Sequence, residues 1–200
     1  MTMARPGTVD GRSLRRGRNR SAVVDAVLEL YGDGVLVPSA DDIAARSGIS
    51  ARSIFRYFDD VDDLVRASIA RQQERLEPRW ALDVTCEEPL DERIDRFVAS
   101  RIGLLEAMGN VGRVARMRAP VEPVLAEELA RIRTRLRRQV AVVFAPELDT
   151  LGPAGADVLA ACDIMTSWEA HDLLRNDQGL GRRATADAMT GAVRRLLGGA

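Results

Sequence analysis

Arg52, Ser53, Phe55 and Arg56 bring two guanidinium groups, a hydroxyl and an aromatic ring together in the stretch Gly48-Ile-Ser-Ala-Arg-Ser-Ile-Phe-Arg-Tyr-Phe58. The same stretch holds Phe55, Tyr57 and Phe58, in a chain with only two Trp, two Tyr and four Phe. Such groups recognise rather than break bonds. A guanidinium can donate two hydrogen bonds to O6 and N7 of guanine, a ring can contact a thymine methyl, and a hydroxyl can bond a phosphate or a base edge. Catalytic constellations are scarce by comparison. The chain has one histidine, no metal-ligand spacing and no nucleophile with an evident base, so no catalytic residue, metal or cofactor is expected and the protein is not read as an enzyme. Gly179-Leu-Gly-Arg-Arg-Ala matches a dinucleotide-binding fingerprint by letters, but no strand precedes it, and it is expected to be a loop.

The elements that would present these groups are helices. Almost every segment has helical periodicity, and none alternates with the period of two that a half-buried strand requires, so the expected class is all-α. Val23, Val24, Val27, Leu28 and Tyr31 form the apolar stripe of a first helix, Ser21 to Tyr31, which Gly32 and Gly34 stop. Ser39 is an N-cap candidate with Asp42 three residues on, ahead of a short helix that ends at Gly48. Ser50 then opens a third helix, Ala51 to Phe58. Two short helices joined by a tight glycine turn have the geometry of a helix-turn-helix. On the third helix Ala51, Ile54 and Phe58 share the face that packs inward, and Arg52, Ser53 and Arg56 share the other, with Phe55 between them and Tyr57 at the flank.

Charge supports the same reading. All 29 basic residues are Arg, against 30 acids, yet the stretch from Arg5 to Arg20 holds six arginines and a single acid, Asp10. Residues 1–17 are therefore expected to form a basic flexible arm, either a solvated tail or one that follows a nucleic-acid backbone or enters a minor groove, with Arg15, Arg16 and the adjoining Arg18 as its DNA-contact candidates. Asp59, Asp60, Asp62 and Asp63 would repel phosphate if they faced it, but carboxylates at a helix N-terminus cap free N–H groups, and Asp60 is the expected cap of a fourth helix.

The stretch from Ser39 to Phe58, followed by Asp62-Asp63-Leu64, resembles the DNA-binding domain of the tetracycline repressor (TetR) family of bacterial transcription regulators. The resemblance covers the first helix, the Ile43-Ala44 pair, the Gly48-Ile49-Ser50 turn, the Ile54-Phe55 pair and the Tyr57-Phe58 end of the recognition helix. It implies that Ser39, matching a threonine of the family, bonds the DNA backbone, and that Ser50, Arg52, Ser53, Phe55, Arg56 and Tyr57 face the groove or its phosphates. Phe55 replaces the family's usual tyrosine and cannot donate to a phosphate, whereas Tyr57 can through its hydroxyl. Val61 stands where the family often has a lysine.

Beyond residue 76 no motif carries the resemblance. The fourth helix is expected to run towards Leu76 with Pro78 marking its end, and Trp80 to Pro89 reads as a loop. Ile94, Phe97, Val98, Ile102, Leu105 and Met108 define a long helix from Leu90, with a shorter piece, Val111 to Arg118, after it. Leu125, Leu129, Ile132, Leu136, Val140 and Phe144 define another, and two more are expected at about 153–175 and 182–197. The last two carry more apolar surface than one chain buries, which points to a homodimer through them, as the resemblance also implies. Phe97, Leu105, Met108, Met117, Phe144 and Trp168 are either ordinary core or the lining of an effector cavity. The expected organisation is thus an arm at 1–17, a helix-turn-helix DNA-binding domain at 18–66, and a helical effector-binding and dimerisation domain at 67–200. The expected function is a cytoplasmic transcriptional regulator, a repressor by the family's commonest outcome. It would bind a palindromic double-stranded DNA operator and be released by a small apolar effector, with no membrane partner. The competing expectation is a helical partner-binding protein that kept the fold and lost DNA binding.

Overall fold

The structure, a computed structural model, describes residues 11–198, with Arg12 in its backbone only. Every regular element among the described residues is helical. They divide into two compact units, one taking the chain up to Arg75 together with Asn110–Ala126, the other taking Leu76–Gly109 and the chain from Glu127 on. The expected division after residue 66 falls inside a helix.

In the first unit, helix α1 (Gly11–Gly32), α2 (Ala40–Ser47), α3 (Ala51–Ile54) and the first part of α4 (Val61–Trp80) surround one core. Val23, Val27, Leu28, Ile43, Ile54 and Phe58 are buried in it, each contributing roughly 1.5–3 kcal/mol. Helix α1 starts well before the expected Ser21, so residues 11–17 of the predicted flexible arm are helical. Arginine and leucine are good helix formers and need no apolar stripe to extend an existing helix. The part of the arm before Gly11, with Arg5, lies outside the described residues. Asp60 caps α4 as expected, its Oδ1 accepting from the Asp63 N–H at 2.7 Å. Asp25 on α1 accepts from Arg71 at 2.9 Å and Arg75 at 2.7 Å, which ties α4 to α1.

Helix α5 (Leu90–Arg118) is two helical pieces, because Gly109 (φ 46°, ψ −142°) leaves the helical region between them. The piece after it returns to the first unit. Asn110 Nδ2 donates to Gly32 O at 2.8 Å, Val111 packs on the first core, and Arg118 bonds Tyr31 Oη and, at 2.7 Å, Glu122.

The second unit builds its core from the end of α4, the first piece of α5, α6 (Pro123–Val143), α7 (Ala145–Thr150), α8 (Gly155–Met165), α9 (Trp168–Asp172) and α10 (Arg182–Gly198). Two expectations change here. Helix α4 runs past Pro78 to Trp80, because Trp80 is buried and its carbonyl accepts from Gln139 Nε2 at 3.0 Å. The helix expected at 153–175 is broken at Ser167, which adopts extended backbone and caps α9 by accepting from the Ala170 N–H at 3.1 Å. A single π-turn, Leu173–Asp177, follows α9.

Aromatic rings in both units are covered by guanidinium groups. Arg20 lies 4.7 Å from the Phe58 centroid and Arg118 5.3 Å from Tyr31 in the first unit, Arg101 4.9 Å from Phe97 and Arg135 4.1 Å from Trp80 in the second.

Candidate nucleic-acid interface

The helix-turn-helix is held by local bonds that the sequence types demand. Ser39 and Asp42 form a reciprocal capping box: Ser39 Oγ accepts from the Asp42 N–H at 3.1 Å while Asp42 Oδ2 accepts from the Ser39 N–H at 2.9 Å. The Ser39 hydroxyl also donates to Asp42 Oδ2 at 2.6 Å, and these bonds hold the Asp42 carboxyl below the usual range. The one hydroxyl proton of the exposed Ser39 is thereby committed within the box, so it can donate to a phosphate only after that bond is exchanged. Gly48, in the left-handed region at φ 70°, closes α2 by donating to Ala44 O at 3.0 Å and turns the chain into α3.

Helix α3 is shorter than the expected Ala51 to Phe58. It is α-helical only through Ile54 and then tightens into three-residue turns, with the Arg56 N–H on Ser53 O at 3.1 Å and the Tyr57 N–H on Ile54 O at 2.9 Å. The tightening lets Phe58 turn inward to the core just before the Asp60 cap. The large side chains nonetheless separate as the spacing predicts, while Ala51, expected inward, and Ser53, expected outward, are both half-buried. Ile54 and Phe58 are buried, whereas Phe55 is 71% exposed between exposed Arg52 and Arg56. Ser50 Oγ donates to Ser53 Oγ at 2.9 Å, which joins two of the predicted contact hydroxyls. Tyr57 Oη accepts from Asn19 Nδ2 at 2.8 Å, an arrangement that leaves its own proton free to donate.

Charge pairing sharpens the picture. Arg20 is engaged by Asp63 at 2.8 Å, Arg46 by Asp33 at 2.7 Å, and Arg71 and Arg75 by Asp25. Among the described residues no carboxylate engages Arg52 or Arg56, the two guanidiniums beside Phe55. Arg15, Arg16 and Arg18 are exposed on the α1 extension. The acidic cluster is largely consumed locally, with Asp60 as cap, Asp63 on Arg20 and Asp62 at 3.9 Å from Arg66. Asn19 and Arg20, which hold Tyr57 and cover Phe58, are not among the site residues expected from the sequence. Their positions on a polar helix face gave no sign of their partners.

In the second unit Phe97, Leu105, Met108, Phe144 and Trp168 all belong to one buried cluster, and Phe97 meets Phe144 edge to face at 5.2 Å. Met117 does not join them. It is 57% exposed and lies in the segment that belongs to the first unit, because the break at Gly109 takes the chain out of this core. Arg101, missed by apolar periodicity, is buried on the same stripe, one turn after Phe97 and one before Leu105. Among the described residues no group of His, Cys, Asp and Glu side chains could hold a metal ion, and no helix is long and apolar enough to cross a membrane.

An all-helical chain with an amino-terminal helix-turn-helix and a helical carboxy-terminal domain is the fold class these elements define. Among solved structures, that of a transcriptional regulator from Rhodococcus sp. Rha1 matches with a TM-score of 0.63 and 17% sequence identity, over 92% of this chain and 96% of that chain. No family model and no curated protein matches the sequence.

Proposed function

We propose that the protein is a DNA-binding transcriptional regulator of the TetR type, a repressor that binds a palindromic operator as a homodimer. The observation that carries this reading is the pair of exposed guanidiniums without carboxylate partners, Arg52 and Arg56, on either side of an exposed Phe55, on a turn of helix whose other side is anchored by buried Ile54 and Phe58. An exposed ring between two guanidiniums that no carboxylate engages fits a major groove, where arginine reads guanine and a ring meets the thymine methyl. Tyr57, Ser53, Ser50 and Ser39 would contact phosphates, and Arg15, Arg16 and Arg18 would follow the backbone beside the site.

Two recognition elements must reach major grooves about 34 Å apart, which calls for a two-fold dimer. Helix α10 buries Thr185, Met189, Val193 and Leu197 and leaves the small and apolar Ala188, Ala192 and Leu196 only partly covered, while Ile164 on α8 is exposed. That face fits a second copy. The buried cluster around Phe97, Phe144 and Trp168 would receive a small effector with an apolar body, whose binding favours a dimer that no longer matches the groove spacing.

Selection of bound duplex from a random pool tests the reading. Arg52→Ala or Arg56→Ala should cost about 1–3 kcal/mol at one base position and relax preference there, with uniform weakening assigning that arginine to phosphate instead. Absence of any salt-dependent affinity for duplex DNA would leave the partner-binding alternative.

A further inference from the structure

Arg101 is 1% exposed and sits on the apolar stripe of α5 among the residues of the buried cluster. A charge so placed is expensive unless another charge compensates it. Its partners are neutral: Nη2 donates to Leu136 O at 3.0 Å and to Gln139 Oε1 at 3.3 Å, and Nη1 to Thr166 O at 3.4 Å. Its flat face lies on Phe97. Nε, wholly buried, has no hydrogen-bond partner among the described residues. Asp163 is the carboxylate whose field Arg101 feels, but Asp163 is itself 3.7 Å from Arg137. Desolvation pulls the Arg101 guanidinium down to about 10, the direction expected for a cation lacking a direct counter-charge.

Arg101 is not alone in being unsatisfied. Trp80 Nε1, His171 Nε2 and Thr185 Oγ1 are buried without partners among the described residues of the same unit. The Gln139 carboxamide links two of these residues, accepting from Arg101 and donating to Trp80 O. Glu106, just over one turn beyond Arg101, bonds Arg182 at 2.9 Å, and its charge is felt by His171, while Thr185 lies one turn after Arg182. Buried polar atoms in native proteins are nearly always satisfied, and a buried cation with an unpaired Nε and no carboxylate bonded to it, in a unit that holds three further orphans, has the pattern of a site that takes a ligand.

We infer that the second unit binds an organic anion, a carboxylate on an apolar body, with Arg101 receiving the charge and the surrounding Phe97, Leu105, Phe144 and Trp168 receiving the body. The inference rests on the effector reading above and narrows it from an apolar molecule to an amphiphilic acid. Arg101 would bond the carboxylate through its unpaired Nε, and Thr185 or His171 would supply a further hydrogen bond to a polar substituent.

The test titrates the full chain, without DNA, with sodium octanoate and phenylacetate and with their neutral counterparts octanamide and phenylacetamide. Binding is read by calorimetry and by fluorescence of Trp80 and Trp168, the chain's two tryptophans. The expected result is at least about tenfold tighter binding of one acid than of its amide, because a charge-assisted bond replaces a neutral one. Arg101→Met, checked for fold by circular dichroism, should abolish that preference, and Arg101→Lys should retain part of it. Equal binding of acid and amide to the unaltered protein, or binding of none of the four, overturns the inference without recourse to any variant. Preference that survives in Arg101→Met also overturns it. A chain that prefers the acid but shows no affinity for duplex DNA would keep this inference and sink the proposed function. Operator binding with no acid preference would do the reverse.

Discussion

Gly48→Ala and Gly17→Ala make an informative pair, because a methyl group at either position meets nothing within 4 Å and only backbone conformation distinguishes them. Gly48 sits at φ 70°. An L-residue there costs roughly 1–2 kcal/mol, which the reduced freedom of the unfolded alanine chain offsets by about 0.4–1, so a net loss near 1 kcal/mol is expected. Gly17 lies inside α1, where alanine should gain about 0.5–1 kcal/mol. Gly48→Asn should fall between the native protein and Gly48→Ala, because asparagine tolerates the left-handed region. Urea unfolding followed by far-ultraviolet circular dichroism measures all three. On the proposed function, DNA affinity of the folded Gly48 variants should stay within experimental error, since Arg52 and Arg56 are untouched. A Gly48→Ala protein as stable as the native one, or a Gly17→Ala protein that loses stability, would refute the assignment of these two glycines to turn and helix.

Asp25 gives a pH signature. The hydrogen bond from Arg71 holds its carboxyl below the ordinary range against a smaller opposing desolvation. With the folded value below the unfolded one, the contribution is present above about pH 3.9 and is lost as pH falls through the folded value. Asp25→Asn should therefore be modestly less stable at neutral pH, with the difference closing in acid, as thermal melts between pH 2 and 7 would show. Arg93, 3% exposed, donates to the Glu147 carboxylate at 3.0 Å and to Val143 O and Glu88 O, both at 2.8 Å. Glu147→Ala strands that cation and should cost about 3 kcal/mol in urea unfolding, while Arg93→Met with Glu147→Leu should cost clearly less.

The helix-turn-helix was legible because its signals are short-range. A cap at Ser39, a left-handed glycine at Gly48 and the spacing of Ile54 and Phe58 each act within a few residues, and each has the expected outcome. Local pattern does not carry the rest. The α1 extension has no apolar stripe, so periodicity put the helix start at Ser21. Across Thr166 and Ser167 the apolar spacing of Cys162, Met165 and Trp168 continues, and it concealed a break made by one extended serine. Met117 shares the periodicity of its neighbours but not their core, since the turn at Gly109 redirects it. Arg101 is the clearest case: a charged letter on an apolar stripe reads as an interruption until its carbonyl partners, distant in sequence, come into view.

The rings of Phe58, Tyr31, Phe97 and Trp80 each carry a planar cation on one side, and without a single lysine in the chain every such cover is arginine. Acetyl-transfer chemistry directed at lysine amines therefore finds no target in these stacks. Replacement by lysine would exchange a flat, weakly hydrated lid for a round, strongly hydrated one, so that a nominally charge-preserving change should loosen the packing it leaves formally intact.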